Sequence, residues 1–95
     1  MANKKMEIIF KGPTFFSSGD ENKFFEWLYS LPAYKKVIGS GINLHLDLSE
    51  PVDNDTTIEL LIIFRRWQID ITSLNNLKNK ENEHILWEET IENSL

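Results

Sequence analysis

The chain has no cysteine among its 95 residues. Disulfides, thiol nucleophiles and cysteine-based zinc sites are therefore excluded, and the composition suits a reducing cytoplasm. Histidine is nearly absent too. His45 and His84 stand alone, without the HxH or HxxxH spacing that places two imidazoles on one metal. The longest apolar run, Ile58 to Phe64, is interrupted by Glu59 and is far too short to cross a bilayer. The opening MANKKMEIIF carries two lysines but only a short apolar patch, so no signal peptide is expected. With three prolines and four glycines there is no linker, repeat or low-complexity block, and one domain is expected over residues 1–95. A domain of this size buries about 65% of its unfolded surface, enough to stand without staples.

Basic residues are scarce as well. Lys and Arg number 10 against 15 Asp and Glu, for a net charge of −5. Phosphate recognition needs a basic footprint, so nucleic acid is a poor ligand for this chain. Ten of the fifteen acids sit in two blocks free of lysine and arginine. The first holds Asp47, Glu50, Asp53, Asp55 and Glu59; the second holds Glu81, Glu83, Glu88, Glu89 and Glu92. Such blocks suit a basic partner or serve solubility.

The organising stretch is Thr56 to Leu74, TTIELLIIFRRWQIDITSL. Thr56 and Glu59 have the spacing of a helix capping box, and apolar residues follow at helical intervals. The β-branched run would also suit a buried strand, but the capping signal and the length favour a helix. Upstream, Met6 to Phe10 reads as a strand, closed by Gly12-Pro13. Ser17, Ser18 or Asp20 can cap a helix over DENKFFEWLYSL, whose Phe24, Phe25, Trp27, Leu28 and Leu31 form one apolar stripe that Pro32 ends. Tyr34 to Ile38 suits a strand, and Gly39-Ser40-Gly41 a tight connection. Ile42, Leu44, Leu46 and Leu48 then alternate with Asn43, His45, Asp47 and Ser49, the pattern of a strand with one buried face. Asp70 or Thr72 can cap a short turn of helix through Leu77, a polar connection follows to Asn82, and Ile85, Leu86, Trp87 and Ile91 suggest a docked helical tail. The fold class is α/β in the α+β, two-layer sense: a small, mainly antiparallel sheet with helices on one face, in the order β-α-β-β-α plus the tail.

No catalytic motif is present. The serines include no G-x-S-x-G elbow, and Gly39-Ser40-Gly41 is too short to cradle phosphate. Asp47, Glu50 and Asp53 suggest a solvated rim rather than an acid/base pair, and His45 beside Asp47 on one strand face is a surface histidine. Arg65-Arg66-Trp67 either pairs with a ligand or satisfies the last carbonyls of its helix. No cofactor, metal or membrane partner is expected.

Taken together, FFEWLYSLPAYKKVIGSG, INLHLDL, ELLIIFRRWQIDITSLNNL and the tryptophan of ENEHILWEE resemble small immunity proteins of bacterial contact-dependent growth inhibition and polymorphic-toxin systems. The resemblance spans roughly residues 6 to 87, with a shorter C-terminus than many such proteins. It implies a cytoplasmic, non-catalytic inhibitor that binds the C-terminal toxin domain of one cognate system. Such toxins are commonly nucleases with basic clefts, which an acidic domain would occlude. The contact surface this suggests is Asp47, Glu50, Asp53, Asp55 and Glu59, with the C-terminal glutamates second. An interaction or regulatory module unrelated to toxins is the alternative.

Overall fold

The computed structural model describes residues 5–87. Strand β1 (Lys5–Lys11) is followed by helix α1 (Ser18–Tyr29), strands β2 (Tyr34–Ser40) and β3 (Asn43–Ser49), and helix α2 (Asn54–Arg66). Three short 3-10 turns follow among the described residues, at Ile71–Leu77, Lys80–Asn82 and Ile85–Trp87. The sheet is antiparallel in the order β1-β3-β2, which leaves β1 and β2 as its edges. One face of the sheet is covered by the helices, giving the α+β two-layer architecture that the pattern implies. Ile91 and the end of the tail lie outside the described residues.

Alternation decides which strand residues enter the core. Ile8, Phe10, Leu46 and Leu48 are buried on the covered face. Against them lie Phe24 and Leu28 of α1 and Leu60, Leu61, Ile63 and Phe64 of α2. The Phe10 and Phe64 rings meet with centroids 4.7 Å apart. Each fully buried large apolar side chain contributes roughly 1.5–3 kcal/mol of transfer free energy, so this cluster is the main source of stability. The first 3-10 turn adds Ile71, Leu74 and Leu77, with the Asp70 side chain accepting from the Thr72 amide as its cap.

Several sequence expectations are corrected. Helix α2 begins two residues before Thr56, and its cap is Asp53, whose side chain accepts from the Thr56 amide. Glu59 closes no capping box. Asp53 itself is extended (φ −72°, ψ 159°), so it takes the cap position and Thr56 falls inside the first turn. The β2–β3 connection is Gly41-Ile42 rather than Gly39-Ser40-Gly41. Gly41 takes φ +62°, the left-handed geometry that a two-residue hairpin needs at its first central position. Ile42 is thereby a turn residue and is 70% exposed, although its place in the alternation suggested burial. Helix α1 ends at Tyr29 with Ser30 as its C-cap, short of Leu31, which is nevertheless buried.

The segment 78–82 is more than a polar connection. The Asn79 side chain accepts from the amides of Glu81 and Asn82, while the Asn82 side chain accepts from the Asn79 amide. Asn82 is buried, donating from Nδ2 to the Leu77 carbonyl at 2.7 Å. Its own carbonyl takes the Trp87 indole N–H at 2.9 Å. Together these bonds dock Trp87 on the body. Among the described residues, no helix is long and apolar enough to cross a membrane.

Candidate functional site

The carboxylates singled out in the sequence fall into two kinds. Asp47 lies on the uncovered face of β3, the central strand, yet it is only 3% exposed. Register places Glu7 and Lys36 opposite it on the two neighbouring strands, and Lys5 Nζ approaches its Oδ2 at 3.1 Å. Its Oδ1 is enclosed and has no hydrogen-bond partner among the described residues. His45 shares this face, half-buried, with Nδ1 3.4 Å from Glu7 Oε2. Asp53 Oδ2 accepts the Thr56 amide at 3.1 Å, and its Oδ1 accepts the Thr56 hydroxyl at 2.6 Å. Thr56 is fully buried, and its hydroxyl oxygen also accepts the Ala33 amide. Glu59 Oε1 accepts the Trp27 indole N–H at 2.7 Å. Glu50 and Asp55 are exposed and form no ion pair or hydrogen bond among the described residues. Of the five, only these two offer carboxylates that are both exposed and unengaged.

A groove of about 1370 Å³ opens elsewhere on the surface. It runs between the end of β1, one face of α1 and the chain leaving α2. Phe10, Phe16, Trp27 and Trp67 supply its aromatic lining. Trp67 packs edge-on to Phe24 at 5.1 Å and to Trp27 at 6.0 Å. Both indoles are fixed by their N–H groups, Trp27 on Glu59 and Trp67 on Asp20 Oδ1 at 2.9 Å. The Arg66 guanidinium lies over the Trp27 ring, 5.5 Å from its centroid, a cation–π contact. Arg65, its neighbour, turns the other way and donates from Nε to the Leu86 carbonyl, holding the tail. The arginine pair therefore divides its work: one binds backbone, the other sits in the groove. Phe16, near the groove mouth, is 91% exposed.

The groove's remaining wall is an unusual helix end. After α2, the Gln68 amide donates to the Arg65 carbonyl and the Ile69 amide to the Phe64 carbonyl. This pair of bonds is the Schellman pattern, and it puts the residue after the cap in the left-handed region. Here that residue is Gln68, with φ 58°, where glycine would relieve the Cβ strain. Next to it, the Asp70 carboxyl is held below the usual carboxylate range by the Thr72 hydroxyl and amide.

Sequence reasoning singled out Arg66 and Trp67 as possible ligand contacts and missed Phe16, Lys23 and Gln68 as their neighbours. The available signal was a helix ending at Arg-Arg-Trp with no glycine behind it. No grouping of His, Asp and Glu among the described residues could hold a metal ion. The chain matches no family model, and no curated protein or solved structure is similar to it at a significant level.

Proposed function

We propose that this chain is a cytoplasmic immunity protein that binds and neutralises a basic toxin domain, a nuclease, of a cognate contact-dependent growth inhibition system. The reading rests on the sequence resemblance. The observation that carries it on the structural side is the meeting of the resembling segments. Trp27 of FFEWLYSLP and Glu59, Arg66 and Trp67 of ELLIIFRRWQID lie far apart in the chain, yet they join in one indole–carboxylate and cation–π assembly. The net charge of −5 supports it as well. Glu50 and Asp55, exposed and without partners among the described residues, are the members of the first acidic block able to face a basic cleft. Charges of this kind speed encounter and reject wrong partners, while buried anchors hold the complex.

The test is co-expression with the domain encoded immediately upstream, followed by titration of the purified pair. Tight one-to-one binding with loss of toxicity supports the proposal. No binding, or a neighbouring product without toxicity, removes it in favour of an acidic interaction module unrelated to toxins. Charge reversal then locates the surface: Glu50→Lys with Asp55→Lys slows association and flattens its salt dependence. Unchanged association would mean that these two residues lie outside the interface.

A further inference from the structure

The aromatic groove and the free edge of β1 belong to one surface, and the hydrogen-bond pattern of the sheet shows how they meet. The Gly12 amide donates to the Ile42 carbonyl at 2.8 Å. In an antiparallel ladder, residues alternate between exchanging hydrogen bonds with the partner strand and pointing their backbone groups away from it. With Lys11 opposite Asn43, Phe10 opposite Leu44 and Ile9 opposite His45, the bonded positions are Gly12, Phe10 and Ile8. The N–H and C=O groups of Ile9 and Lys11 therefore face outward from β1. No backbone hydrogen bond from a described residue outside the sheet reaches them. Ile9 and Lys11 are also the β1 residues, with Phe10, that line the groove.

An exposed row of this kind is a template for another strand. The opposite edge, β2, is guarded by Lys35 and Lys36 at an irregularity in its register, a common protection against pairing. At β1 the template faces a volume above the roughly 300–1,000 Å³ of small-molecule pockets, which suits a segment of chain. Ser73, on the far wall, has a hydroxyl enclosed from solvent with no hydrogen-bond partner among the described residues.

The charges of the groove point to the sign of its occupant. Lys11, Lys23 and Arg66 line it together with Asp20, Glu26 and Asp70, so it is formally neutral in a chain of net charge −5. The capacity still open is unequal. Asp20 accepts from the Trp67 indole and the Phe16 amide, and Asp70 from the amide and hydroxyl of Thr72. Three cations without an ion pair among the described residues, of which Arg66 lies over the Trp27 ring, thus face one carboxylate without a hydrogen bond, Glu26. Gln68 adds a carboxamide at a position where glycine would be less strained.

We propose that this groove binds an extended acidic peptide segment, which adds as a strand to the free edge of β1 at Ile9 and Lys11. Alternate side chains of the segment rest on the Trp27–Trp67 wall, and its carboxylates meet Lys11, Lys23 and Arg66. The acidic block from Asp47 to Glu59 does not line this groove; what the groove shares with the toxin reading is Trp27, Arg66 and Trp67.

The probe is a blocked peptide alternating glutamate and valine, titrated into the full-length, isotope-labelled chain. Its lysine–valine counterpart and a backbone N-methylated version are the controls. The acidic peptide is expected to change Trp27 and Trp67 fluorescence and to slow hydrogen exchange at the Ile9 and Lys11 amides at least tenfold. The lysine and N-methylated peptides are expected to do neither. Lys23→Glu with Arg66→Glu should weaken the acidic peptide about tenfold and admit the lysine peptide. Ile9→Pro, which removes one outward N–H at an edge position, should abolish pairing, with its fold checked by circular dichroism. Binding of neither peptide overturns the proposal, as does equal binding of both. Protection at β2 instead of β1 also overturns it. So does a dimer by sedimentation whose Ile9 and Lys11 amides are already protected, since the edge would then take a second copy.

Discussion

Asp53 reads from the sequence as a surface charge and acts in the fold as a structural acceptor, so Asp53→Ala is the sharpest test of the α2 cap. The substitution removes the acceptor of the Thr56 amide at 3.1 Å and of the Thr56 hydroxyl at 2.6 Å. Loss of an N-cap acceptor costs about 1 kcal/mol, with a range of roughly 0.5–2. The second bond adds more because Thr56 is fully buried. Its hydroxyl hydrogen is left without an acceptor inside the protein, which costs roughly 1–3 kcal/mol. The sum is about 2–4 kcal/mol, a fall in Tm of about 10–25 °C for a chain of this length. Urea unfolding at neutral pH, followed by circular dichroism, reads it directly as a lower midpoint at unchanged slope. A double-mutant cycle isolates the buried bond. In a Thr56→Val background no hydroxyl remains to be orphaned, so Asp53→Ala should cost only the cap, about 1 kcal/mol. Additive effects, or a single-mutant loss within about 0.5 kcal/mol, the range of an ordinary surface change, would refute the reasoning. The result also bears on binding assays. A variant this unstable loses partner binding by unfolding, so Asp53 informs on an interface only where the variant is shown to be folded.

Three further outcomes are expected. Gln68→Gly should stabilise the chain by about 1 kcal/mol, because glycine takes φ 58° without the Cβ clash and the Schellman bonds remain; thermal melting that shows no gain would contradict the strain. Asp70 has a folded pKa below its unfolded value, owing to the Thr72 hydroxyl and amide. Its contribution is therefore fully present above the unfolded carboxyl pKa of about 3.9 and is lost as pH falls through the folded pKa. Being exposed, it is a small term, and Asp70→Asn should flatten the acid limb of the stability–pH curve slightly; an unchanged limb would count against the pairing. Asn82→Ala removes the donor to the Leu77 carbonyl and the acceptor of the Asn79 amide, so it should cost about 2–4 kcal/mol and red-shift Trp87 emission. Emission and stability like those of the unaltered chain would show that Trp87 docks without this network.

How much of this was legible beforehand follows the range of the forces involved. Short-range signals carried through. Alternation in INLHLDL marked Leu46 and Leu48 for the core, the FFEWL stripe marked Phe24 and Leu28, and Asp70 announced its own turn. These depend on periodicity and on hydrogen bonds to the next few residues, which a sequence displays. Ile42 misled because alternation cannot say where a strand stops and a hairpin begins. Thr56 and Glu59 misled because their spacing satisfied a local rule that Asp53, three residues earlier, satisfied first.

The sequence by itself determined the class of the protein: an acidic, cysteine-free α+β domain whose core strands and helices are written in their apolar periods. Only the tertiary structure decided what Asp47, Glu59 and Asp20 do. Asp47 is buried because two neighbouring strands place Glu7 and Lys36 beside it and Lys5 reaches it, none of them near it in the chain. Glu59 holds Trp27, and Asp20 holds Trp67, across separations of 32 and 47 residues. The groove exists because the end of β1, a face of α1 and the exit of α2 meet in space. A carboxylate's role depends on the donors within about 3 Å of it, and for these residues the donors arrive only when distant segments pack.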